Sequence, residues 1–110
     1  MMMYEVMNSK LSEEENLDVN DVVQEIEEVI SEFQLKVTQK TTLSKMPGSI
    51  HYHLKKGNVA GVLEVTYWPK KKSLIVDIHD NRLKEWNMEL ILPFSEALAK
   101  RFSGVVQPKV

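Results

Sequence analysis

The stretch that decides the fold is residues 50–79, IHYHLKKGNVAGVLEVTYWPKKKSLIVDIH. Apolar and polar side chains alternate in three segments of it, and successive side chains of a strand point to opposite faces. The pattern therefore predicts three antiparallel strands with one apolar face. The other face, called the open face below, carries all three histidines of the chain. Its members are His51, His53, Val62, Glu64, Thr66, Trp68, Ile75, Asp77 and His79.

The flanking segments predict two helices and a fourth strand. Apolar residues recur at helical spacing over residues 19–33, and residues 34–42 then alternate as a strand does. A second helical stripe covers residues 83–102, but Pro93 interrupts it. Because proline disfavours a helix interior, residues 83–92 are either helical up to a kink or extended before a fresh helix.

This order of elements predicts an α+β fold. The economical arrangement is a two-layer α-β-β-β-β-α sandwich, in which a four-stranded antiparallel meander carries both helices on its apolar face. We expect one domain over residues 17–104. Residues 1–16, with an acidic run, predict a mobile acidic arm, and residues 105–110 predict a loose tail.

Composition excludes several classes of protein. The chain has no cysteine, which excludes disulfides, thiolate metal sites and a cysteine nucleophile. It also has no apolar run near the roughly 20 residues of a membrane span and no secretory leader pattern. Together these features favour a cytoplasmic location, with no membrane partner and no cofactor.

A metal site is one interpretation of the histidines. His51 and His53 share a strand face and can chelate one ion, with His79 as a third ligand and Asp77 or Glu64 as a fourth. A meander places a whole strand between His79 and the other two, a separation of roughly 10 Å. Only His51 and His53 therefore remain as weak candidate ligands.

Nucleic-acid binding is a second interpretation. Trp68 on the open face offers a stacking surface for single-stranded nucleic acid. The net charge of −2 and the central Glu64 and Asp77 argue against it. The basic side chains that would form the patch are Lys36, Lys40, Lys55, Lys70, Lys71 and Lys72.

Catalysis has the weakest support. Asp77 and His79 share a face with Thr66 nearby, but no nucleophile, phosphate-loop or metalloprotease motif appears. We therefore predict no catalytic residues and favour a protein that is not an enzyme. After the last strand, Asp80-Asn81-Arg82 is typical of a structural turn, which is the favoured interpretation, and a small anion site formed by Arg82 and His79 is the alternative.

The sequence favours a small interaction domain that acts through the open face. Val62, Trp68 and Ile75 make this face partly apolar, as protein-contact surfaces are, and tryptophan is a common anchor. The partner is another protein or a second copy of the chain. Single-stranded nucleic-acid binding is the alternative, and metal binding at His51-x-His53 is the second alternative.

Overall fold

The computed structural model describes residues 1–109, and Val110 lies outside the described part. Two 3₁₀ turns, Pro69–Lys71 and Asp80–Arg82, flank the fifth strand. The elements follow in the order β1 (Met2–Met7), α1 (Lys10–Glu13), α2 (Val19–Glu32), β2 (Lys36–Thr41), β3 (Ile50–Lys55), β4 (Leu63–Trp68), β5 (Ser73–Ile78), α3 (Glu85–Arg101) and β6 (Val105–Lys109).

The α+β class with an antiparallel sheet is confirmed, but the sheet has six strands instead of four. The strand order is β2-β3-β4-β5-β1-β6, and every neighbouring pair is antiparallel. The meander of β2 to β5 is as predicted. The two added strands come from the two ends of the chain.

Most residues of the predicted mobile arm and loose tail belong to strands or a short helix, and Val110 of the tail lies outside the described residues. Met2–Met7 forms β1, which pairs with β5 on one side and with β6 on the other. Val6 of β1 is buried in the core, and Lys10–Glu13 forms a short helix that buries Leu11. The domain therefore extends to both ends of the described chain. The two strands stabilise each other by pairing, which composition alone does not indicate.

The core lies between the apolar sheet face and the helices. α2 presents Ile26 and Val29 to it, and α3 presents Phe94. Fully burying one such side chain contributes about 1.5–3 kcal/mol. The sheet residues that are completely buried are Tyr52, Leu54, Leu63, Val65, Leu74, Val76 and Ile78.

A register shift in β2 moves one predicted open-face residue to the helix side. The pairing of β2 with β3 slips between Val37 and Gln39, so Lys40 lies opposite Tyr52. Lys40 Nζ is 2.6 Å from a carboxylate oxygen of Glu27, and the Tyr52 hydroxyl donates to the same oxygen at 2.8 Å. Lys40 therefore joins sheet to helix and does not belong to an open-face patch.

Helix α3 runs without a break through Pro93, so of the two alternatives for residues 83–92 the extended one is wrong. Pro93 is exposed, whereas Ile91, Phe94 and Leu98 on the same helix are buried. Packing of that apolar side outweighs the cost of an interior proline, which is about 3 kcal/mol. Among the described residues, none of the helices, α3 included, combines the length and the hydropathy of a membrane-spanning segment.

The start of α3 is tied to the sheet by a buried amide. Asn87 is 0% exposed, and its Oδ1 accepts from the Lys84 N–H at 2.9 Å. Its Nδ2 donates to the carbonyls of Val62 and Arg82, at 3.1 and 2.9 Å. Since these carbonyls belong to the entry of β4 and to the turn after β5, Asn87 fixes the turn against the edge of the open face.

We expect Pro93→Ala to stabilise the protein by about 1–3 kcal/mol, because it restores a helical hydrogen bond and removes a steric clash. Urea unfolding followed by circular dichroism measures the change. Pro69→Ala is the matched control, since Pro69 begins a 3₁₀ turn where proline fits, and should give no gain. A less stable Pro93→Ala variant would show that packing of α3 requires the proline.

Candidate metal centre

The three histidines converge on the carboxylate of Glu64. His51 Nε2 is 3.0 Å and His53 Nε2 is 3.5 Å from Glu64 Oε1, and His79 Nε2 is 3.2 Å from Oε2. His79 Nε2 also lies 3.4 Å from Asp77 Oδ2. These five side chains are called the His–carboxylate cluster below.

The register of the central strands explains this convergence. His53 pairs directly with Glu64, and Glu64 pairs directly with Asp77, so the three form one row across β3, β4 and β5. Directly opposed side chains have Cβ atoms about 4.5–5.5 Å apart, within reach of each other. β4 does lie between His79 and the other histidines, but it supplies the carboxylate that links them.

Three of the five cluster side chains are buried, although both long helices of the described residues pack on the other face of the sheet. Glu64 is 4% exposed, and His51 and Asp77 are each 7% exposed. A buried carboxylate is costly unless it is paired with hydrogen-bond donors or positive charge. The cluster is therefore a charged site in a poorly hydrated place, a property more typical of function than of a solvated sheet face.

The pKa values of the two carboxyls shift in opposite directions. Burial alone would raise the pKa of Glu64, but the His51 hydrogen bond and the His79 and His53 charges together lower it below its usual value. Burial, followed by repulsion from Glu64, raises the pKa of Asp77 to about 6. Burial also lowers the pKa of His53, despite the opposing charge of Glu64.

Thr66 orients the most deeply buried imidazole. Its Oγ1 is 2.7 Å from His51 Nδ1, and the two residues pair directly across β3 and β4. This hydrogen bond turns His51 Nε2 toward Glu64. Metal-binding histidines are commonly oriented by such a contact at the nitrogen that does not bind the ion.

Two overlapping sets of ligands have spacings that suit a metal ion. His51, His53 and Glu64 form one set, and Glu64, Asp77 and His79 form the other; in each, the ligand atoms lie within 4.8 Å of one another. Ligands about 2.1 Å from one ion are separated by about 3.0–3.5 Å at octahedral or tetrahedral angles. The contacts to Glu64 in the first set already have that length.

A depression of about 260 Å³ opens beside the cluster. It is lined by His53, Glu64, His79, Asn81 and Arg82. From the sequence, Asn81 is assigned only to the Asp80-Asn81-Arg82 turn and not to a binding site. Its place beside the cluster follows from the tertiary structure, in which Asn87 holds the turn after β5.

The remaining open-face residues show no feature that selects a protein partner. Val62, Trp68 and Ile75 are only partly exposed. The Trp68 indole N–H already donates to the Pro47 carbonyl at 3.0 Å. Contact through this face, with another protein or a second copy, stays a prediction.

The predicted basic patch is divided between the two ends of the sheet. Lys36 and Lys55 pair with each other near the start of β4, whereas Lys70–Lys72 belong to the connection after β4 ends. Lys40 lies on the helix side. The structure therefore does not bring these six lysines together, and nucleic-acid binding also stays a prediction.

Comparison with protein-family models and with curated proteins finds no match. The function is therefore inferred from the geometry of the cluster.

We expect metal-free Asp77→Asn to be more stable than the wild type at pH 8, by on the order of 2 kcal/mol. The pKa of Asp77 is about 6 when folded and about 3.8 as a free side chain. As the pH rises, the Asp77 carboxyl loses its proton at a lower pH in the unfolded chain than in the folded protein. The free energy of unfolding therefore falls as the pH rises through the range between the two pKa values. Urea unfolding at pH 4 and pH 8 should show a gain for the variant mainly at pH 8.

Glu64→Gln provides the control of opposite sign. The pKa of Glu64 is lowered by folding, so its charge stabilises the fold above about pH 4.5, and this contribution is lost on acidification through the folded pKa. The amide variant should be less stable than the wild type at pH 8. A destabilised Asp77→Asn variant at pH 8 would contradict the assignment of opposite roles to the two carboxyls.

Proposed function

We propose that the protein binds one divalent transition-metal ion at the His–carboxylate cluster. The observation that carries this proposal is the convergence of three imidazole Nε2 atoms on one buried carboxylate. His51, His53 and Glu64 are the principal ligands, because their contacts have the spacing that one ion imposes and because His79, in the other set, is about half exposed.

Asp77 of β5 and His79, which directly follows that strand, complete the site. His79 has about half of its side chain exposed, so its ring has room to turn its Nε2 toward the ion as a fourth ligand. Asp77 lies beside it, 3.4 Å from that nitrogen. The two carboxylates supply two negative charges. A divalent cation neutralises both of them in a buried place, where solvation by water stabilises charge only weakly.

The donor set favours a borderline metal. Imidazole nitrogen suits zinc, iron, nickel and copper, whereas a site for magnesium or calcium would be built from oxygen donors. Three imidazoles and a carboxylate leave a position for a ligand from solution when the ion takes five or six ligands. The bound ion can therefore have a structural role, or it can coordinate a second molecule at the open position.

The first test is cobalt(II) titration of metal-depleted protein without a histidine tag, followed by d–d absorption and calorimetry. We expect one equivalent to bind, and Glu64→Gln to weaken binding by at least about 100-fold, because it removes the shared ligand. His53→Gln is a second variant at a less buried position. Circular dichroism establishes that each variant is folded.

Glu5→Gln is the matched control. Glu5 lies on the same sheet face in β1, where it contacts Lys109 and pairs with Ile75 outside the cluster. The same chemical change there should leave cobalt affinity unaltered. Absence of cobalt binding by the wild type at micromolar concentrations, or equal binding by Glu64→Gln, would contradict the proposal.

Thr66→Val tests the role of the ring-orienting hydroxyl. The substitution keeps the shape of the side chain but removes the partner of His51 Nδ1. We expect a loss of about 10-fold in cobalt affinity at unchanged stoichiometry, as for other outer-sphere partners. Calorimetry measures both quantities, and unaltered affinity would show that His51 is oriented by packing alone.

A further inference from the structure

Arg82 is a cation beside the cluster that has no acidic partner among the described residues. Its Nη1 lies 3.4 Å from His53 Nδ1. Among the described residues, this is the only side chain within hydrogen-bond distance of the guanidinium. The other arginine, Arg101, behaves differently. It forms ion pairs with three glutamates of α2, namely Glu25, Glu28 and Glu32.

The backbone holds Arg82 in this place. Its N–H donates to the His79 carbonyl at 2.9 Å, and its own carbonyl accepts from the buried Asn87 amide at 2.9 Å. The guanidinium lines the depression together with His53, Glu64, His79 and Asn81. Its position thus follows from the way the turn after β5 is fastened to α3.

A guanidinium at this position does not help to bind a cation. It has no acceptor atom and keeps its charge, so it cannot be a metal ligand and it repels one. With Glu64 and Asp77 balanced by a divalent ion, Arg82 leaves the site with one positive charge in excess. One bound anion restores neutrality.

We infer that the site takes a small oxyanion, with one oxygen on the metal ion and another on the Arg82 guanidinium. This inference rests on the proposed metal site and names the class of its second ligand. The depression of about 260 Å³ has room for a small molecule, and its lining is polar and basic on the side of Arg82. A carboxylate fits best, because one of its two oxygens can bind the ion while the other accepts from the Arg82 guanidinium.

The test uses cobalt(II)-loaded protein and two probes, acetate and sulfate, at constant ionic strength set with perchlorate. Binding of an oxyanion to the ion changes the d–d absorption and saturates with concentration. We expect saturable binding of acetate by the wild type. A response to sulfate alone would support a tetrahedral oxyanion as the natural ligand class.

Arg82→Gln separates anion binding from metal binding. It should keep one equivalent of cobalt, with affinity equal to or higher than that of the wild type, because a repelling charge is removed. Its acetate affinity should fall at least 10-fold. Arg82→Lys keeps the positive charge but not the planar guanidinium. Its loss of acetate affinity should lie between those of the wild type and Arg82→Gln.

Lys100→Gln is the matched control for the loss of one positive charge. Lys100 is exposed on α3, in the layer opposite the open face, and its removal should change neither affinity. If the wild type binds no cobalt, the proposed metal site itself fails. If cobalt binds but neither probe perturbs it, or if Arg82→Gln responds as the wild type does, the inference about the oxyanion is overturned.

Discussion

The antiparallel register of β3, β4 and β5 is the constraint on which both faces of the molecule depend. It aligns His53, Glu64 and Asp77 in one row on the open face, and it simultaneously aligns Leu54 with Leu63 in the core. A slip by one residue in any of these strands would exchange the two faces. The apolar core and the charged row are therefore specified by the same pairing, and neither can be altered in register without the other.

This coupling also explains how a costly site is tolerated. Without a metal, the buried Asp77 opposes folding, as its raised pKa indicates, whereas Glu64 stabilises the fold only through its contacts with the histidines. The opposite face compensates, because it packs a continuous apolar layer against α2 and α3. A rigid sheet between the two layers holds ligand atoms in place, which is what a binding site requires of its scaffold.

The sequence predicted the elements whose pattern is local. Strict alternation identified β3, β4 and β5, and helical spacing identified α2 and most of α3. β1 and β6 were missed because each is stabilised by a partner from the far end of the chain, a pairing that no local period reveals. The sequence left open whether α3 continues through Pro93, because the burial of one helix side that outweighs the local preference depends on tertiary packing.

The same distinction applies to the site. Alternation placed all five cluster residues on one face but indicated only Cβ positions, which separate His79 from the two histidines of β3. The reach of the Glu64 side chain, which joins them, is a property of three-dimensional packing. The displacement of Lys40 by a register shift and the anchoring of Arg82 through Asn87 likewise depend on contacts distant in sequence.

The pairing of the two terminal strands has a mechanical consequence. Met3 lies opposite Lys109 in neighbouring antiparallel strands, so the two ends of the described chain emerge side by side. A force that pulls these ends apart would load the hydrogen bonds of β1 and β6 one at a time, as in a zipper, instead of shearing them together. β6 would peel away first and leave β1 paired with β5, so the row of His53, Glu64 and Asp77 across β3, β4 and β5 would stay intact.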